Sequence, residues 1–202
     1  MSNHSTKKAV LSTKQLVTMT IMASLAAVFM FFRFSLPFAP SFMDVDLADV
    51  PVLIGGFAYG PLAGVMIAFL KNLIKLITQG TGTSFVGELS NFIVTSAFVS
   101  VAAWYYRSHK DLKGSRIALI LGVLSLTAVA TLSNAFLIFP LFEKVAGFPM
   151  EAILNATRAV NPLVHTYWDM MIFAVVPFNL VKGVLNAVVT ALLYKHISRF
   201  LK

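Results

Sequence analysis

DLADVPVLIGGFAYGPLAGVMIAFLKNLIKLI, residues 46–77, decides how this chain is folded. It is apolar almost throughout, yet Gly60-Pro61 interrupts it, with Gly55, Gly56 and Gly64 close by. Glycine and proline break helices, and in a bilayer they are tolerated where neighbouring helices satisfy the freed backbone groups. The stretch therefore reads as two short helices, about 46–60 and 61–79, packed tightly through their glycines. Working outward, further apolar segments occupy about 15–33, 86–106, 115–139 and 166–198. These four meet the roughly 20 residues that a spanning helix needs. The total is six.

Composition agrees. Of 202 residues, 58% are hydrophobic and 12% charged, with a mean hydropathy of +0.82. A soluble domain carries roughly a quarter charged residues, so the expected fold class is an all-α integral membrane protein, a six-transmembrane-helix bundle forming one domain over residues 1–202. The net charge of +8 flanks apolar segments rather than forming a patch in water, which argues against a nucleic-acid partner. The chain has no cysteine, so disulfides, thiol nucleophiles and Cys-based metal sites are excluded. Residues 1–14, MSNHSTKKAVLSTK, form a basic tail, and no small-residue cleavage pattern follows the first apolar run, which stays as a helix.

Orientation follows from the basic residues, which concentrate in cytoplasmic segments. Lys7, Lys8 and Lys14 lie in the N-terminal tail, Arg107, Lys110, Lys113 and Arg116 in the loop RSHKDLKGSR, and Lys195, Arg199 and Lys202 at the C-terminus. With six helices all three segments fall on one face, so both termini are expected to be cytoplasmic. The opposite loops carry Asp44, Asp46, Asp49, Glu143 and Glu151.

Polar residues inside the apolar runs carry the functional reading. Ionisable groups at membrane depth are costly and usually face a bundle interior or a cavity. Lys71 and Lys75 share a face of the third helix, about 15 and 21 Å from Pro61 at 1.5 Å per residue, and require a counter-charge or water. Glu88 opens the fourth helix with Asn91 on the same face, and Asn134 lies about 28 Å along the fifth, near the outer surface. Pro177 suits a first helical turn, which places Asn179 and Lys182 in the outer third of the last helix, with Asn186 continuing the stripe. Four helices thus deliver Glu88, Asn91, Asn134, Asn179, Lys182 and Lys75 to the outer half, the pattern of a pocket for a polar solute. Taken singly, each Asn also reads as an interhelical hydrogen bond that holds a bundle together. Asp169 is the acid that could pair with Lys182. In the first outer loop, residues 33–51, Phe38, Phe42 and Met43 read either as a lid over a planar ligand or as an interfacial aromatic belt.

Chemistry is not encoded. There is no P-loop, H-E-x-x-H, G-x-S-x-G or paired-carboxylate arrangement, so no enzymatic activity, metal or cofactor is expected. The chain also lacks the repeated halves of many secondary transporters. A small binding bundle without an engine implies that a partner supplies the energy.

The stretches at 46–77, GELSNF (87–92), SNAFLIFPLF (133–142) and VPFNLVKGVLNAVV (176–189) resemble the substrate-binding S-components of energy-coupling factor (ECF) vitamin transporters, most closely the riboflavin-specific branch. The likeness runs over about residues 15–198. It implies an outward vitamin pocket built from the first loop and helices four to six, in a multi-pass protein of the bacterial cell membrane. Asn134, Asn179 and Lys182 would hydrogen-bond the flavin or its ribityl chain, with Glu88, Asn91, Phe42 and Met43 as further pocket residues. Riboflavin would be cargo, not cofactor. The resemblance also implies a membrane-embedded coupling subunit, docked at Ala23-x-x-x-Ala27 on the first helix, and two ATPase subunits. The readings left open are an S-component for pantothenate, folate or thiamine, and a self-sufficient small secondary transporter.

Overall fold

The structure, a computed structural model, describes residues 12–40 and 42–197. Of the basic tails, Lys7, Lys8, Arg199 and Lys202 lie outside the described residues. Helix α1 (Thr13–Phe29) starts from a capping box in which Ser12 and Gln15 exchange side-chain and backbone hydrogen bonds. A short antiparallel hairpin follows, β1 (Phe34–Ser35) against β2 (Asp44–Val45), with Phe34 opposite Val45 and Ser35 opposite Asp44. Then come α2 (Asp49–Tyr59), α3 (Pro61–Gln79) and α4 (Val86–Ser108). Helix α5 runs Leu112–Lys144, and α6 (Met150–Arg158) lies in the next connection. Helix α7 begins at Tyr167 and continues to Ile197.

Four of these, α3, α4, α5 and α7, are long and apolar enough to cross a membrane, while α1 and α2 are shorter apolar helices. The two-helix reading of 46–77 holds. Gly60, at φ 97°, ends α2, and Pro61 opens α3 at a position where its missing N–H costs nothing. A Cβ on Gly56 or Gly64 would stand 2.4 or 2.2 Å from a methyl of Val99. Bare backbone at those two positions is what lets α2, α3 and α4 touch. The principal core then fills from α1 through α5, with Leu53, Ile67, Phe98 and Leu126 fully buried.

Helix α2 has 11 residues, so it is about 16 Å long, half the depth of a bilayer's hydrocarbon core. The chain before it therefore reaches into the bundle, and Val45, Asp46 and Asp49 are all buried. The end carrying the hairpin is called here the lid end; the opposite end, carrying Arg107 to Arg116, the basic end.

Two helices are longer than their hydropathy suggested. Helix α5 extends to Lys144 by widening into a π turn at Asn134–Ile138, and α7 starts ten residues before Pro177 and widens likewise at Met171–Val175. Pro177 is thus inside α7. The π turns at Met171–Val175 accommodate it, because a wider turn relieves the clash between a proline ring and the preceding carbonyls. Helix α6, with Ile153 and Thr157 buried, had no counterpart in the sequence reading.

Candidate ligand-binding site

Below the hairpin, between α4, α5 and α7, lies a cleft of about 730 Å³ counted to its open mouth. Helix α4 contributes Gly87, Ser90, Asn91, Val94 and Thr95; α5 contributes Asn134, Ile138, Phe139 and Phe142; α7 contributes Phe178, Asn179 and Lys182. Phe42, Met43 and Asp44 close it from the loop. Asn91, Asn134, Asn179, Lys182, Phe42 and Met43 are therefore brought together as the sequence led us to expect. Glu88 is not in the cleft itself. It lines an adjoining chamber with Lys75, Arg33 and Asp46, which shares Asn91 and Lys182 with the cleft.

The two deeper asparagines are held rather than free. Asn134 Nδ2 donates to Ala130 O at 2.7 Å and Asn179 Nδ2 to Val175 O at 2.8 Å, each four residues back on its own helix. One amide hydrogen is spent, which orients the carboxamide. Neither oxygen has a partner among the described residues, so each side chain keeps an acceptor and a second N–H for a ligand. The π turns matter here. Asn134 opens the one in α5, and the one in α7 ends four residues before Asn179. The loosened α5 turn also exposes Ala135 O, which accepts from Tyr167 Oη at 2.6 Å and ties the two helices together. Interruptions of this kind recur at functional sites, and hydropathy alone does not reveal them.

The cations lining the cleft and chamber each have an acid. Lys182 Nζ is 3.6 Å from Asp46 Oδ2, not paired with Asp169. Asp169 instead caps α7, accepting from Thr166 N at 2.8 Å and His165 N at 3.2 Å. Asp46 is itself fixed, since its Oδ1 accepts from Ala48 N and its carbonyl from Asn186 Nδ2, both at 2.9 Å. Lys75 pairs with Glu88, whose other oxygen accepts from Thr81 and Thr83. Thr81 Oγ1 also accepts from Phe85 N, holding Ser84 and Phe85 in left-handed backbone at φ 49° and 70°. Arg33 and Asp44 complete the set at 3.8 Å across the hairpin.

The counter-charge that Lys71 required is Asp49. Lys71 has 0% exposure, and its Nζ donates to Asp49 Oδ1 at 2.5 Å and to Thr95 Oγ1 at 3.1 Å. Thr95 Oγ1 donates in turn to Asp49 Oδ1 at 2.7 Å. Because Thr95 also lines the cleft, this buried triad forms part of its wall. Sequence reading placed Asp46 and Asp49 only in the charge balance of the outer loops. A signal was present: Asp49 and Lys71 lie equally far on either side of Gly60, so a helical hairpin turning there sets them level.

Ala23 and Ala27 are 0% and 2% exposed, packed inside the chain where α1 meets α2 and α3. Their small size serves that internal contact, so a partner reaches them only if α1 moves. The open face of α1 carries Leu16, Val17, Ile21, Leu25 and Val28 instead.

A family model described as "ECF transporter, substrate-specific component" matches residues 14–194. The chain belongs to this family. The riboflavin transporter RibU of Staphylococcus aureus (strain TCH60) is 30% identical over 190 residues, covering 94% of this chain and 93% of that protein. The riboflavin transporter FmnP of Bacillus subtilis (strain 168) is 30% identical over 182 residues, with 90% of each covered. A solved S component of a bacterial ECF transporter superposes with a TM-score of 0.72 at 28% identity, covering 94% of this chain and 98% of that one. As an S-component, the protein is a membrane protein that takes part in transport and is not an enzyme.

Proposed function

We propose that this S-component captures riboflavin in the cleft and delivers it inward when coupled to an ATPase module. The observation that carries the reading is the convergence of Asn134, Asn179 and Lys182 on one cleft walled by Phe139, Phe142 and Phe178. An isoalloxazine ring has apolar faces that suit these aromatic walls. Its amide-like edge and the ribityl hydroxyls suit the asparagine carboxamides and the lysine ammonium. The names of the curated relatives support the same ligand. Glu88 and Asn91 would act at the chamber side, and Phe42 and Met43 would cover the bound ring.

In this reading α1, α2, α3, α4, α5 and α7 are the six membrane helices of one domain. The basic end and both termini face the cytoplasm of a bacterial cell, and the lid end faces outward. A membrane-embedded coupling subunit and two ATPase subunits are the partners, with the coupling subunit engaging α1. The inverted placement, lid end inward, would put Arg107, Lys110, Lys113 and Arg116 outside, against the usual distribution of basic residues.

The test is a visible absorption spectrum of the detergent-purified protein from cells grown with and without riboflavin. Flavin bands retained through gel filtration, only in the fed culture, are expected. A colourless protein that also fails to quench the fluorescence of added riboflavin would overturn the ligand assignment, leaving an S-component for another vitamin.

A further inference from the structure

Away from the cleft, α5 and α7 enclose a groove of about 930 Å³ that opens sideways from the bundle. Leu119, Val123 and Ala187 form its floor at 4%, 6% and 9% exposure. Ile120 and Leu124 on α5, and Val184 and Val188 on α7, stand up as walls at 50–60% exposure. The groove exists because α7 carries Gly183, Ala187 and Ala191 at successive turns, where larger side chains would fill it. Gly183 lets the helices close, since a Cβ there would stand 3.1 Å from a methyl of Val123. The lining has a single polar member, Arg116, at the basic end. Arg116 has no ion pair or hydrogen bond among the described residues.

From these features we infer that the groove holds one acyl chain of an anionic phospholipid, whose headgroup phosphate lies against Arg116. Length favours a lipid over a partner helix. On α5 the groove runs from Arg116 to Leu124, and on α7 from Ala191 to Leu180, about 12 and 16 Å at 1.5 Å per residue. That is one leaflet of a core about 30 Å thick, whereas a helix packed in the membrane would need a seam through both leaflets. Charge points the same way. An unpaired guanidinium at the interface takes a phosphate bidentately, and the walls supply apolar contact of acyl-chain width. The site is independent of the flavin reading, because no groove residue lines the cleft.

Native mass spectrometry of the purified full chain, offered phosphatidylglycerol and phosphatidylcholine with identical acyl chains, tests this. Phosphatidylglycerol should be retained over phosphatidylcholine about fivefold, the preference that one basic side chain confers near an interface. Arg116→Gln should bring the ratio to about one, lowering retention of phosphatidylglycerol more than that of zwitterionic phosphatidylcholine. Ala191→Leu, which fills the basic end of the groove, should lower retention of both. Val184→Trp on the exposed wall gives the same blockade should Ala191→Leu fail to fold, with circular dichroism and melting confirming the fold of each variant. Equal retention of the two lipids by the parent chain, or a preference that survives Arg116→Gln, overturns the proposal.

Discussion

The lid end and the basic end of this bundle solve the same problem, burial of a membrane helix, in opposite ways. At the lid end four ion pairs, Arg33–Asp44, Lys71–Asp49, Lys75–Glu88 and Lys182–Asp46, join different segments around an open space. At the basic end the contact is backbone against side chain, with Gly56 and Gly64 under Val99, and aromatic rings against one another. There Phe57 stacks on Tyr106 at 4.5 Å, and Tyr194 meets both rings edge-on at 5.3 and 5.6 Å. The helices at the basic end meet through close contact of backbone, methyls and rings, with a pocket opening beside the α2–α3 turn, whereas the cleft among the helices at the lid end is spanned by polar struts. The difference teaches that the charges at the lid end are scaffold first. Each of the four cations around the cleft and chamber has an acid within the chain, and the asparagines keep hydrogen-bonding capacity beside the Lys182 ammonium.

The comparison can be broken most severely at the triad. Lys71→Met leaves Asp49 buried without its counter-charge and should cost about 3–5 kcal/mol of stability, read as a lower melting temperature in detergent. Lys71→Met combined with Asp49→Leu should recover most of that loss, because an apolar pair of similar volume removes the stranded charge. A single variant that melts like the parent would show that the triad is not a strut.

Next in size are substitutions in the cleft. Asn179→Ala or Lys182→Ala should weaken riboflavin binding roughly 10- to 100-fold, as expected for loss of a hydrogen bond involving a charged or buried group, with little change in melting for Asn179→Ala and a lower melting temperature for Lys182→Ala, which strands the buried Asp46. Fluorescence titration checks this. Unaltered affinity in both variants would remove the cleft from the binding reaction.

Gly64→Ala sharpens the contrast from the other end. It drives a methyl into Val99 and should lower stability by about 1–3 kcal/mol while riboflavin affinity stays within about twofold. Should affinity fall as far as in Lys182→Ala, the two ends are not separable. The smallest effect is expected for Phe42→Ala, which is 47% exposed in the parent. Loss of one ring contact should weaken binding by roughly two- to tenfold, seen as faster flavin release in stopped-flow fluorescence. No change would assign Phe42 to the interface with lipid.

Much of this was legible in order along the chain. The break at Gly60-Pro61, the long apolar helices and the shared side of Asn134, Asn179 and Lys182 follow from composition and the 1.5 Å rise, but their depth does not, because α5 continues ten residues past Asn134 and α7 begins twelve residues before Asn179. Other features were not. Asp46 lies far from Lys182 in sequence, and only the half-length α2 brings the loop deep enough to meet it. Asp169 looked like a partner by proximity, yet a Thr-x-x-Asp spacing at a helix start also reads as a cap, and the cap prevails. The resemblance put the coupling subunit at the alanines of α1, whose spacing equally suits packing within the chain; which helix approaches is not written in the spacing.

By itself the sequence determined that this chain lies in a membrane, where its helices break, and which polar residues lie inside its apolar runs, because hydropathy and helical rise are local properties of the chain. Only the tertiary structure decided which acid serves which lysine, where α5 and α7 widen into π turns, and which face of α1 is left open. Those depend on separations through space between segments distant in sequence, and the energy of an ion pair or a buried carboxamide is set by its partners rather than by its neighbours along the chain.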